Sequence, residues 1–104
     1  MNKKVNEKLK QIIEKAIQKI IDETSFDVKK IPAIILTTPK NPEHGHLSTN
    51  IALQLSGIIQ KESRQIANQI VQEIEDSSSG LINRIEIAGP GFINFYLKTN
   101  VLHQ

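Results

Sequence analysis

Residues Ile87-Ala88-Gly89-Pro90-Gly91-Phe92-Ile93-Asn94-Phe95-Tyr96-Leu97-Lys98 constrain the surrounding chain more than any other stretch. Two short apolar runs meet at Gly-Pro-Gly. Pro90 presets φ for the first central position of a turn, and Gly91 can take φ > 0 at the second. Such a stretch predicts a chain reversal between two strands. After the turn the residues alternate, with Ile93, Phe95 and Leu97 on one face and Phe92, Asn94, Tyr96 and Lys98 on the other. The first face is core. The second, expected to stand open to water, carries two rings, an amide and a cation, which is costly to leave without a use. Stacking rings beside an amide that both donates and accepts suit an unpaired nucleobase. The alternative is a sheet edge, or a second core face covered by a helix.

Upstream, Val5, Leu9, Ile12, Ile13, Ala16, Ile17, Ile20 and Ile21 recur at helical spacing, which predicts a helix over about residues 2–23. At about 100° per residue, Lys4, Lys8, Lys15 and Lys19 fall within about 60° of one another beside that stripe. Such a row is either a solvated flank or a track for phosphates. Residues 24–30 read as a connection, with Phe26 as its one large apolar residue. Residues 31–37 form a nearly continuous β-branched run, expected as a strand buried on both faces and entered at Pro32. Residues 38–46, with two prolines and a glycine, are a loop.

A second helical stripe follows at Leu47, Ile51, Ala52, Leu55, Ile58 and Ile59, with Ser48 or Thr49 as the expected N-cap. After a break at residues 60–62, Ser63 is expected to cap a third helix with its stripe at Ile66, Ala67, Ile70, Val71 and Ile74. A turn at residues 76–80 leads into residues 81–88, the first strand of the hairpin, with Ile85 and Ile87 on one face and Arg84 and Glu86 on the other. The predicted order is helix, strand, helix, helix, strand, strand. It implies an α+β fold: a small antiparallel sheet of about three or four strands, packed on one side by about three helices.

The 104 residues, 38% of them hydrophobic, fit one domain spanning 1–104. Eighteen isoleucines supply most of its core. Three of the four aromatic residues, Phe92, Phe95 and Tyr96, lie on one strand, which strengthens a functional reading of it. With no cysteine, disulfides and thiolate metal sites are excluded, and a cytoplasmic location is expected. No apolar run approaches the roughly 18 residues of a membrane span, so no membrane partner is expected. A net charge of +2 is too mild to argue nucleic-acid binding by itself. No nucleophile is paired with a base, so no catalytic residue is assigned. His44-Gly45-His46 lacks a third ligand, so no metal site is expected.

Two segments carry a resemblance when read together. Pro39-Lys40-Asn41-Pro42-Glu43-His44-Gly45-His46-Leu47-Ser48-Thr49-Asn50-Ile51-Ala52-Leu53 and Ala88-Gly89-Pro90-Gly91-Phe92-Ile93-Asn94-Phe95, with Ser63-Arg64-Gln65-Ile66-Ala67 between them, resemble the N-terminal additional domain of arginyl-tRNA synthetases. The resemblance runs from about Val5 to Lys98. It implies a small α/β domain preceding a class I catalytic domain and touching the D-loop at the elbow of tRNA(Arg). It also implies that Phe92 and Asn94, with Gly91 beside them, read an unpaired D-loop base. Tyr96, Lys98 and the Lys4, Lys8, Lys15, Lys19 row are added as backbone neighbours on geometry alone. Where the family usually has Asp and then an aromatic, this chain has His46 and Leu47; Asp there would cap the next helix, a task expected here to pass to Ser48. Asn50 matches the family and suits either a buried structural bond or a ligand contact.

The class I signatures are missing, so the chain is expected to be a non-catalytic piece of a longer synthetase, without its catalytic and anticodon-binding domains. The fragment needs no cofactor on this reading, while the parent would use ATP and magnesium to join arginine to its tRNA. The expected partners are the tRNA(Arg) D-loop and the parent's own catalytic domain. The competing expectation is a structural domain that packs on the catalytic domain without touching RNA.

Overall fold

The computed structural model describes residues 3–24, 30–77 and 80–98. Phe26 with its connection, Ser78 and Ser79 of the predicted turn, and the residues after Lys98 lie outside the described residues. Helix α1 (Lys3–Asp22) buries Val5, Leu9, Ile13, Ala16, Ile17, Ile20 and Ile21, the predicted stripe with Ile12 half-buried at its margin. It ends where the Thr24 hydroxyl donates to the Ile21 carbonyl at 2.8 Å, satisfying one of the last-turn carbonyls.

Strand β1 (Leu47–Thr49), helix α2 (Ile51–Ile59), helix α3 (Ser63–Ser77), strand β2 (Ile82–Ala88) and strand β3 (Phe92–Leu97) follow, with a 3₁₀ turn at Pro42–His44. The sheet is antiparallel in the order β1-β3-β2, so β3 is central. Ile93, Phe95 and Leu97 of β3 are buried on the face that receives α2 and α3. Helix α1 packs chiefly on α3, on the helix side of the molecule. The architecture is the predicted α+β fold. In β2 the register shifts between Ile82 and Arg84. One extra residue there keeps Ile82 opposite Leu97 and Ile85 opposite Phe95, on the buried face despite their odd spacing.

Five local expectations are corrected. Residues 31–37 do not form a strand: only Thr37 pairs, with Ser48, through N–H···O bonds of 2.9 and 2.8 Å. Pro32 has no N–H to give, Ile35 is 58% exposed, and β1 is too short to template a longer partner. Leu47 belongs to β1 rather than to the second helix. Neither Ser48 nor Thr49 is the N-cap: both lie in β1, the helix is entered at Asn50 without a side-chain capping bond, and Thr49 Oγ1 accepts from Ile51 N at 3.3 Å. Ser63 is the first residue of α3, and its hydroxyl donates across to the Pro90 carbonyl instead of capping its own helix. The hairpin turn also closes one residue early. Gly91 N donates to Ala88 O at 3.3 Å, making Gly89 (φ +55°) and Pro90 the central pair.

Candidate functional site

The outer face of β3 is organised from its two ends. At the Phe92 end the Gly89-Pro90-Gly91 turn is tied to the start of α3. Arg64 donates to the Gly89 carbonyl at 2.6 Å, and the Ser63 hydroxyl donates to that of Pro90. Gly91 takes φ +140°, and a Cβ there would lie 3.1 Å from the Ser63 carbonyl oxygen. Only glycine has both the dihedral freedom and the room. The turn is thus fixed, and with it the ring of Phe92, which stays 41% exposed.

At the other end the chain before β1 folds over the strand. His46 N donates to Phe95 O at 2.9 Å, and Leu97 N donates to His46 Nδ1 at 3.0 Å. The imidazole therefore extends the β1–β3 ladder beyond its last residue pair, Leu47–Phe95. Gly45, at φ +97°, lies so close that a Cβ would sit 2.8 Å from Phe95 O. The 3₁₀ turn then covers Tyr96, whose hydroxyl shares its one hydrogen between the Glu43 carbonyl and, at 3.2 Å, Glu86 Oε2. Arg84 lies 4.1 Å over the Tyr96 ring and pairs with Glu86 at 3.1 Å. These contacts commit Tyr96 to structure and neutralise the one carboxylate opposite Asn94.

Between the two ends is an open groove of about 500 Å³, with Phe92 and Pro90 on one side, Lys40 and His44 on the other, and Asn94 and Ser48 on its floor. Ser48 and Asn94 are cross-strand partners. Asn94 is only 6% exposed, so it does not stand open to water beside Phe92 as the alternation suggests. It lines the groove together with residues of the loop before β1 and of the hairpin turn, and no α-helical residue is part of that lining. Its carboxamide has no hydrogen-bond partner among the described residues and lines the groove.

The other predicted residues are not brought here. Gly91 is buried against Ser63, behind the ring. Lys98, six residues after Phe92, lies about 20 Å along the strand. It lines a different groove, with Ile74, Ile82 and Arg84. Lys4, Lys8, Lys15 and Lys19 are exposed on α1. Lys19 pairs with Glu73 of α3 at 3.1 Å, and this hydrogen bond and charge raise its pKa above the usual lysine value. Asn50 is exposed and accepts from Gln54 at 2.9 Å, so it is neither buried nor in the groove. Lys40, His44 and Thr37 carry no site role in the sequence pattern, and Ser48 is expected there only as a helix cap. Their only signal was proximity to a Pro/Gly-rich loop, because the β1 pairing that assembles them spans three residues.

Among the described residues, no three His, Cys, Asp or Glu side chains gather where they could hold a metal ion, and no helix is long and apolar enough to cross a membrane.

The family model described as Arginyl tRNA synthetase N terminal domain matches residues 7–97. The arginine–tRNA ligase of Listeria monocytogenes serotype 4b is 44% identical over 92 residues, which cover 88% of this chain and 16% of that protein. The arginine–tRNA ligase of Bacillus subtilis is 37% identical over 99 residues, covering 94% and 18% respectively. The crystal structure of arginyl-tRNA synthetase from Plasmodium falciparum shares the fold, with a TM-score of 0.70 and 22% identity over 90% of this chain and 16% of that one. The chain spans about a sixth of the length of the curated relatives it matches. It belongs to the family of arginyl-tRNA synthetase N-terminal domains.

Proposed function

We propose that this domain docks on the elbow of tRNA(Arg) and holds a D-loop base that has left its stack, with the ring of Phe92 against the base and the Asn94 carboxamide at its polar edge. The observation that carries this is an exposed ring next to an amide that lines the same groove and has no hydrogen-bond partner among the described residues. The unpaired donor and acceptor of this amide are open to the polar edge of a ligand in the groove. Base–aromatic stacking adds about 1–3 kcal/mol. The domain's part is positioning. Arginine activation, with the ATP and magnesium it requires, we assign to the rest of the full-length protein, since this chain spans about a sixth of the length of the arginine–tRNA ligases it matches. The catalytic domain is the second partner, and the cytoplasm the location.

The test is aminoacylation kinetics of the full-length protein with Phe92→Ala and Asn94→Ala. Both variants raise the KM for tRNA and leave those for arginine and ATP unchanged. Unaltered tRNA kinetics in both variants refute the reading and favour a face that packs on protein. Binding that resists added salt would do the same, since RNA docking weakens steeply with ionic strength.

A further inference from the structure

The rim of the groove opposite Phe92 is as rigid as the turn on the near side. Asn41 Oδ1 accepts from Glu43 N at 3.0 Å, His44 N donates to Asn41 O at 2.9 Å, and Gly45 N donates to Pro42 O at 3.2 Å. Tyr96 pins this 3₁₀ turn to the sheet through the Glu43 carbonyl. Lys40, two residues before the turn, and His44, its last residue, line the groove, and both are exposed. Neither side chain has a hydrogen bond or ion pair among the described residues. Of the acids nearby, Glu86 is held by Arg84 and Tyr96, and Glu43, exposed in the turn itself, makes no ion pair with Lys40. A rigid rim with an uncompensated cation and an imidazole therefore faces a ring across a floor that carries the Asn94 amide and the Ser48 hydroxyl.

A ring wall, an amide floor and a cationic rim match the three parts of a nucleotide. The α1 lysines lie with the helix layer and cannot reach the same nucleotide. We propose that the groove takes a whole nucleotide of single-stranded RNA, its base against Phe92 and Asn94 and its phosphodiester against Lys40 and His44, so that the loop before β1 is half of the interface. This rests on the RNA-docking reading above. A phosphate is a strong acceptor, and a lysine serves it as a point charge while an imidazole N–H can donate to it.

The proposal is tested by measuring the affinity of the full-length protein for an unmodified tRNA(Arg) transcript across a salt series. The variants are Lys40→Gln, Lys40→Arg and Phe92→Ala. Loss of one phosphate contact on a single strand lowers the slope of log K against log salt by about 0.7. Lys40→Gln shows that drop, Lys40→Arg keeps the slope, and Phe92→Ala weakens binding at every salt concentration with the slope unchanged. If Phe92→Ala weakens binding but Lys40→Gln leaves the slope intact, the loop is no phosphate contact and this inference alone is overturned. If Phe92→Ala has no effect, the RNA-docking reading falls and takes this one with it.

Discussion

Replacing His46 by leucine isolates a bond that joins residues 51 positions apart. The Leu97 amide donates to His46 Nδ1 at 3.0 Å, and Leu97 is 3% exposed, so this amide has little access to water. Leucine fills similar space and accepts nothing. Leaving a buried donor unpaired costs about 1–3 kcal/mol. For a domain of about 100 residues each kcal/mol shifts Tm by about 4–8 °C, so even the low end of that cost is readily measured. Asparagine discriminates between a missing acceptor and a generic loss of packing. Its Oδ1 is bonded to Cγ as Nδ1 is in histidine, so it offers an acceptor at the same remove from the backbone. On the same reasoning position 46 of this chain serves as an acceptor for the Leu97 amide and not as a helix cap. Thermal melting of His46→Leu and His46→Asn, with amide exchange at Leu97, reads both quantities. His46→Leu melts lower and loses protection at Leu97; His46→Asn keeps most of both. Equal protection at Leu97 in the wild type and His46→Leu would refute the reasoning, as would an equal loss in both variants.

Two glycines separate conformational need from mere presence. Gly45→Ala, forced to φ +97° with its Cβ 2.8 Å from Phe95 O, destabilises by more than about 2 kcal/mol in urea unfolding. Gly57→Ala, in α2 with nothing within 4 Å, stabilises by about 0.5–1 kcal/mol in the same assay. Phe95→Ala, at the fully buried centre of β3, costs about 3–5 kcal/mol, well above the cost of Phe92→Ala, whose ring is already partly in water. The Lys19–Glu73 pair raises the folded-state pKa of Lys19, so its contribution is present below the unfolded value of 10.5 and is lost as pH rises through the higher folded value. The stability difference between wild type and Glu73→Gln, followed by denaturation at several pH values, therefore narrows above that point.

How much could be read in advance depended on whether an element's signal is local. Helix α1 repeats its apolar spacing over five turns, and β3 alternates cleanly after a glycine-marked turn, so both are legible from residues a few positions apart. Strand β1 is not. Leu47 stands four residues before Ile51 and extends the helical stripe, and three residues are too few for alternation to compete. Its strand character comes from pairing with Phe95, Asn94 and Ile93, nearly fifty positions away. Residues 31–37 fail in the opposite sense, since β-branched residues favour extension but a strand also needs a partner, and only Thr37 finds one. The site divides in the same way. Alternation puts Phe92 and Asn94 on one face. Asn94 is nonetheless enclosed, because Gly45 and His46 bring the preceding loop onto β3 through backbone contacts that no short window of sequence displays.

The most direct test of the central claim is chemical footprinting of tRNA(Arg) bound to the full-length protein, with and without Phe92→Ala. The account predicts that wild-type protein shields the D-loop and that Phe92→Ala restores reactivity there while protection elsewhere on the tRNA persists. A D-loop that stays reactive under saturating wild-type protein, or one shielded equally by both proteins, would contradict it.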